Sequence, residues 1–416
     1  MFTSRLKKAG LTAIAVMFAT GNAIYGQSYG TITLPTWLCD SGTQVLHAAA
    51  SPRTALNQWG EGPVASKNGT IFFVEQNAGN IWKVTAAGVM TKLITVTSGS
   101  TNYVNGLDFN PVDGNLTVCE QARITERDTT DGHVIKVVTS GTTWGQGAND
   151  LTFASNGDLY FTCFNQHIFF HSYDSSVNKD WNYATPSNCE WNGIEYIQEK
   201  GIIYVNAYGQ NQVFTFKVDA TTHLMDTSTK KLFASVTSPD GITIDSLYDV
   251  YIASNTSGGT YPESIVAYDS TGKVLGSIHM IQKSPSTSLS TANCVFGNFP
   301  FGGPNPKTLY IAADSGLFMV QLKVAGRVRP AYSPVVGVRS NSANPVTALK
   351  VAKPRAGLQL MLGGSATFHD MANNSIIYNI KGQRVAGGAS VRGAGQGKAD
   401  PGMSSAVYIV QTPVGQ

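Results

Sequence analysis

The chain has 416 residues, 42% of them hydrophobic and only 13% charged, with a formal net charge of +3. That length allows two or three domains and a large core. The near-neutral balance, without a run of Lys and Arg, argues against a polyanion-binding face, and no nucleic-acid partner is expected. The 43 glycines and 17 tyrosines suit many short strands joined by tight turns, and long helical periodicity is absent.

Arg5, Lys7 and Lys8 form a basic start, residues 11–20 a short apolar stretch, and Gly21 and Ala23 a small-residue cleavage site. This pattern predicts a secretory signal over residues 1–23, too short in its apolar part to span a membrane. An amphipathic helix of a cytosolic protein is the competing reading. Cys39, Cys119, Cys163, Cys189 and Cys294 follow. Export permits disulfides, but an odd number leaves at least one thiol free. Cys119 and Cys163 fall inside predicted strands and are expected to be small buried core residues. Residues 24–58 form an N-terminal extension expected to pack on the following domain or to close it.

From residue 59 onward one short phrase recurs six times. It reads Glu61-Gly62-Pro63-Val64, Asn105-Gly106-Leu107-Asp108, Asn149-Asp150-Leu151-Thr152, Asn192-Gly193-Ile194-Glu195, Asp240-Gly241-Ile242-Thr243 and Asn293-Cys294-Val295-Phe296. The first residues lie 44, 44, 43, 48 and 53 positions apart. Each phrase is followed by a turn and a β-rich run, such as Asn68-Gly69 before Ile71-Phe72-Phe73 or Asn156-Gly157 before Leu159-Tyr160-Phe161. A second β-rich run then completes a hairpin pattern. A period of roughly 40–50 residues is the signature of a propeller blade. The prediction is all-β: a six-bladed β-propeller over residues 59–326, each blade burying its apolar face against its neighbours.

In a propeller the inner strand of each blade lines the central channel, so equivalent residues face one point on the axis. Glu61, Asn105, Asn149, Asn192, Asp240 and Asn293 would then form a ring of oxygen acceptors, suited to a hard divalent cation. Asn-Gly and Asp-Gly are equally the commonest hairpin-turn pairs, and spacing leaves a ring and six turns on an even footing.

Between residues 56 and 326 the sequence resembles the senescence-marker-protein/gluconolactonase/luciferin-regenerating-enzyme family of six-bladed propellers. The resemblance is carried by Gly60-Glu61-Gly62-Pro63-Val64, Asn105-Gly106-Leu107, Val118-Cys119-Glu120, Ala148-Asn149-Asp150-Leu151, Asn192-Gly193-Ile194, Pro239-Asp240-Gly241-Ile242 and Lys307-Thr308-Leu309-Tyr310-Ile311-Ala312. It implies a lactone hydrolase acting on a sugar lactone or related cyclic ester, with one divalent metal held by Glu61, Asn192 and Asp240. Ca²⁺ is the ion expected, with Mg²⁺, Mn²⁺ or Zn²⁺ as alternatives. Such a metal supplies Lewis-acid stabilisation of the ester carbonyl. Asp240 also takes a proton and, with Asn149, is a catalytic residue in this reading. Asn149 and Asp150 contact substrate, and Asn105 and Asn293 line the channel beside it. Where some relatives carry an Arg two residues before the third-blade Asn, this chain has Gly147. Glu120 and Arg123 are the candidates to replace that substrate contact, against a plain salt bridge between them. The loop from Asn255 to Pro262 either shapes access or is ordinary surface. His133 and His167 are expected to be structural.

Residues 327–345, rich in Pro, Ser and Val, are predicted to be a linker, and residues 346–416 a small β-sandwich-like module. In that module Tyr378-Asn379-Ile380-Lys381-Gly382-Gln383-Arg384-Val385 and Ala406-Val407-Tyr408-Ile409-Val410 resemble the C-terminal sorting modules of the type IX secretion route. That resemblance implies secretion machinery as a partner and a secreted or surface location. A carbohydrate-binding or structural β-module is the alternative. For the whole chain, the readings that compete with a lactonase are a non-catalytic propeller binding a ligand or partner at the channel mouth, and a strictosidine-synthase-like propeller.

Overall fold

The structure is a computed structural model. It describes residues 28–49, 56, 59–97, 103–141, 144, 147–182, 188–281, 290–298, 302–314 and 316–330, together with the backbone of four strands between residues 358 and 411. The expected secretory signal and the end of the tail lie outside the described residues. Helix among the described residues is limited to the short turns Gln198–Lys200 and Tyr208–Gln210, and none is long and apolar enough to cross a membrane.

The fold is the six-bladed, all-β propeller that the repeat predicts. The six inner strands are Gly60–Ala65, Val104–Phe109, Ala148–Phe153, Trp191–Ile197, Pro239–Ile244 and Thr291–Gly297, and every residue in them is buried. They touch one another in a closed cycle, the sixth packing on the first. From each, the blade runs outward through antiparallel neighbours. Blade four proceeds through Ile202–Ala207 and Gln212–Val218 to Met225–Ser235.

The apolar core is divided among wedges between blades, because each sheet has two faces and both must be covered. Val64, Phe72, Val74, Leu107, Phe109 and Val118 fill the wedge between blades one and two. Tyr160, Phe170, Trp191, Tyr196, Val205 and Phe216 fill the one between blades three and four. Cys119 and Cys163 pack in the wedge between blades two and three. All five cysteines are buried as thiols, outside any disulfide.

Residues ahead of the first blade complete the last two. Leu46–His47 pairs antiparallel with Gly316–Gln321 as the outer strand of blade six. Gly30–Ile32 pairs with Val274–Met280 as a fifth strand of blade five. The ring is thus closed by hydrogen bonds between segments from opposite ends of the domain.

The two sequence phrases have different structural roles. The turn phrase is a hairpin turn: Gly69, Gly114 and Gly157 adopt φ of 81°, 76° and 87°, the left-handed region that suits Gly. The anchor phrase is a β-bulge. Register with the second strand shifts between Glu61 and Val64, Val104 and Leu107, Ala148 and Leu151, Trp191 and Ile194, and Pro239 and Ile242. A bulge of this kind bends the strand and re-aims its side chains. The small residue at the second position is demanded by the next blade. A Cβ on Gly106 would stand 2.6 Å from Asp150 Oδ1, on Gly193 2.4 Å from the Asp240 carbonyl, and on Gly241 2.0 Å from the Asn293 side chain.

After the last blade the chain turns back beneath the channel. Gly326 bridges to Asp245, and the Arg327 N–H donates to the Ile244 carbonyl at 3.0 Å. Residues 327–330, assigned to a linker by composition, therefore pack as part of the propeller body, and residues 331–345 lie outside the described residues. The second compact unit begins at Pro334. Within it Leu358–Leu362, Val407–Gln411, Ile376–Asn379 and Arg384–Gly387 form one antiparallel sheet in that spatial order.

Candidate metal centre

The bulges turn the first residue of each phrase toward the axis at one end of the channel. Glu61, Asn105, Asn149, Asn192, Asp240 and Asn293 are all buried there. Asp240 and Asn293 are close neighbours of the Glu61 carboxyl, and Asn192 and Glu61 of the Asp240 carboxyl. Asn293 Oδ1 accepts from the Cys294 N–H at 2.8 Å, and its amide lies near the Glu61 and Asp150 carboxyls. Asn105 Nδ2 donates to the Tyr103 hydroxyl at 3.0 Å. Asn149 holds the same position in blade three, beside Asp150, whose carboxylate accepts from the Leu151 N–H at 2.8 Å.

The backbone beneath these side chains is braced. Thr162 Oγ1 donates to the Asn192 carbonyl at 2.7 Å, and Asn206 Nδ2 donates to the Asp240 carbonyl at 2.5 Å. Each brace runs from the second strand of one blade to the anchor of the next. The ring is therefore fixed by inter-blade contacts.

Electrostatically the ring is short of positive charge. Burial, then the neighbouring Asp240, push the Glu61 carboxyl well above the usual carboxylate range. Burial likewise raises Asp240, against the hydrogen bond from Asn255 and the nearby Asn192 amide. Burial pushes Asp150 up to about 8, with the charges of Glu61 and Asp108 adding to it. The principal neighbours of all three are acids and amides, and none is a cation. Several carboxylates and carboxamides confined without a counter-ion form a hard-oxygen donor set that fits a divalent cation.

One contact was not legible in the sequence. Asn255 Nδ2 donates to Asp240 Oδ2 at 2.5 Å, and Ser290 Oγ donates in turn to Asn255 Oδ1. This chain of bonds fixes the orientation of the Asp240 carboxylate from outside the ring. Asn255 opens the long blade-five loop, so part of that loop supports the site.

Glu120 stands apart. Its carboxylate accepts from Arg123 at 2.7 Å, Thr125 at 2.5 Å and Arg127 at 2.6 Å, and it is fully buried. The sequence placed it among substrate contacts, but its position on a second strand, inside a blade, commits it to these partners. Arg123, with its side chain 32% exposed, remains accessible. His133 and His167 pair with Asp131 and Asp180 at 2.7 Å in each case, on hairpins away from the ring.

The fourth residue of the same phrase builds a second, lower ring that includes Asp108, Thr152, Glu195 and Thr243. Arg329 Nη2 donates to Asp108 Oδ2 at 2.6 Å and to Thr152 Oγ1 at 3.0 Å. Arg327 donates to the Glu195 carboxylate, to the Tyr196 carbonyl at 2.8 Å and to Glu199 at 3.3 Å. In the sequence, the only signals for this ring were the acids in fourth position and the Arg-Val-Arg run at 327–329.

Residues 59–315 match the family model described as the SMP-30/Gluconolactonase/LRE-like region. The chain belongs to this family. Solved structures agree in fold. A gluconolactonase of Xanthomonas campestris aligns with a TM-score of 0.53 at 19% identity, covering 72% of this chain and 96% of its own. A luciferin-regenerating enzyme aligns at 0.54 and 16% identity, covering 70% and 99%. A calcium-binding regucalcin of Agrobacterium tumefaciens aligns at 0.53 and 16%, covering 68% and 96%. No protein with a curated description matches the chain.

Proposed function

We propose that the propeller is a divalent-metal-dependent lactone hydrolase, with Glu61, Asn192 and Asp240 as metal ligands and Ca²⁺ as the preferred ion. The observation that carries this reading is the burial of Glu61 and Asp240 as electrostatic neighbours at equivalent positions on two inner strands, with no ion pair to either carboxyl among the described residues. Among the three relatives compared above, one is described as a gluconolactonase and another as calcium-binding, which supports the same class. A cation bound there supplies Lewis-acid stabilisation of an ester carbonyl as it gains charge.

The chain's own residues supply the rest. Asp240, its Oδ2 held by Asn255, accepts a proton as water adds to the lactone carbonyl. Asn149, Asn105 and Asp150 offer hydrogen-bond groups to the ring oxygen and hydroxyls of the substrate, and Arg123 is the cation available to the outer part of a sugar lactone. The wedges of packed side chains around the channel keep bulk water from the sides of the site, which strengthens these polar contacts.

The test is hydrolysis of a panel of γ- and δ-lactones by wild type and Asp240→Ala, with Ca²⁺, Mg²⁺, Mn²⁺ or Zn²⁺ and after chelation. Turnover that needs metal and is lost in Asp240→Ala is expected. Metal binding without turnover of any lactone would replace the hydrolase with a non-catalytic binding propeller. We further infer that the chain is exported through its N-terminal signal and its C-terminal sorting-type module. Mass spectrometry of the mature protein, with a start near residue 24, checks the first step.

A further inference from the structure

The lower ring differs from the upper one in that each of its acids already has a cationic partner. Asp108 and Glu195 face the channel beside the hydroxyl-bearing Thr152 and Thr243, a set of hard oxygen atoms of the kind that holds a divalent cation. Residues 325–330 enter this ring from below and bring two guanidinium groups to it. Arg329 takes Asp108 and Thr152, and Arg327 takes Glu195. Both arginines are buried. The backbone just ahead of them is tied down: the Gly326 N–H donates to the Pro306 carbonyl at 2.8 Å, and Asn298 Nδ2 donates to the Gly326 carbonyl at 2.7 Å. A Cβ on Gly326 would lie 2.2 Å from Phe296 Cβ, so the segment fits its seat closely.

Between the rings lies a cavity of about 20 Å³, lined by Asp108, Asp150, Glu195, Thr243 and Asn293 among others. That is room for about one water-sized occupant. Thr243 Oγ1 is buried on this lining with no hydrogen-bond partner among the described residues. The lower ring therefore has acids, hydroxyls and space, and its positive charge comes from the chain itself.

We propose that Arg327 and Arg329 act as a built-in dication that takes the place of a second metal ion, keeping the propeller a one-cation protein. Guanidinium groups suit this role because they stay charged at every working pH and bind carboxylates in fixed geometry. Unlike a metal, they cannot dissociate, so the lower mouth stays sealed whatever the metal supply. The inference rests on the proposed metal centre only for the identity of the first ion.

The test is Ca²⁺ stoichiometry, by equilibrium dialysis of the full chain after removal of bound metal. Wild type is expected to bind one equivalent. Arg327→Ala/Arg329→Ala is expected to bind one more, and addition of Asp108→Asn/Glu195→Gln to abolish that extra equivalent. If the double variant folds and binds no more Ca²⁺ than wild type, the inference is overturned. Should the double variant fail to fold, thermal melts of Arg329→Ala and of Asp108→Asn/Arg329→Ala decide. The first is expected to gain more in melting temperature from Ca²⁺ than wild type, and the second is not. Equal Ca²⁺ responses in the two variants overturn the inference. A wild type that binds no Ca²⁺ overturns the upper metal centre instead, and leaves the gain on arginine removal as an independent readout.

Discussion

Asn255 Nδ2 lies 2.5 Å from Asp240 Oδ2, and Ser290 holds the other end of the same amide. A carboxylate asked to bind metal and to move a proton needs one fixed orientation. Here the fixing residue comes from the loop after the second strand of blade five.

Asn255→Ala is therefore expected to lower metal affinity or lactone turnover by about 10–100-fold, the usual cost of losing a supporting hydrogen bond at a metal ligand. Calorimetric metal titration together with kcat and KM on the best lactone checks this. Asn255→Asp should be worse than Asn255→Ala, because it sets a third carboxylate against Asp240.

The buried acids predict how stability varies with pH when metal is removed. Asp150 reaches about 8 and Asp108 about 6 in the folded chain, while Glu61 and Asp240 are also raised, all by burial first. A raised acid keeps in the folded state a proton that the unfolded chain releases near pH ~4. Its stabilising contribution is complete below that pH and is lost as pH rises through the folded value. In chelator, stability should fall from about pH 4 to about pH 9, by roughly 1.4 kcal/mol per pH unit for each proton involved. Excess Ca²⁺ should restore much of the loss at the alkaline end. Thermal melts across that range, with and without Ca²⁺, check the sign. A flat profile in chelator would contradict the burial of Glu61, Asp150 and Asp240 without an ion-pair partner among the described residues.

Gly106→Ala is expected to cost about 1–3 kcal/mol, because the added Cβ meets backbone as well as a side chain. It would lie 2.7 Å from Asp150 Cα and 2.8 Å from the Asn149 carbonyl. Urea denaturation gives the loss. Because the clash falls on the blade-three anchor, turnover should drop as well. An equivalent Gly114→Ala change, at a turn with open space around it, should cost only the strain of a left-handed residue.

Arg329→Ala should destabilise by about 3–5 kcal/mol, since it strips the partner from the buried Asp108 carboxylate. Asp108→Asn in the same chain should recover part of that loss. A double-mutant cycle on urea midpoints measures the coupling, and strict additivity would deny it.

The sequence alone determined the repeat, the number of blades and the identity of the ring residues. The spacing of Glu61, Asn105, Asn149, Asn192, Asp240 and Asn293 is a property of the chain, and equivalent positions in a closed array must meet on its axis. Spacing could not separate a ring from a set of hairpin turns, because both use a polar residue followed by Gly. Packing separates them: Gly106, Gly193 and Gly241 are small because the next blade's anchor presses against them, whereas Gly69, Gly114 and Gly157 are small because the backbone turns left-handed there. Only the tertiary structure decided the support of Asp240 by Asn255, the withdrawal of Glu120 into a blade, and the burial of Arg327 and Arg329. Each of these depends on contacts between segments distant in sequence or on which face of a strand a residue takes. A one-residue change of register, such as every anchor bulge introduces, reverses that face. Local sequence therefore names the acids and amides that meet at the axis, and the bulges and inter-blade contacts decide which of them remain available to a ligand.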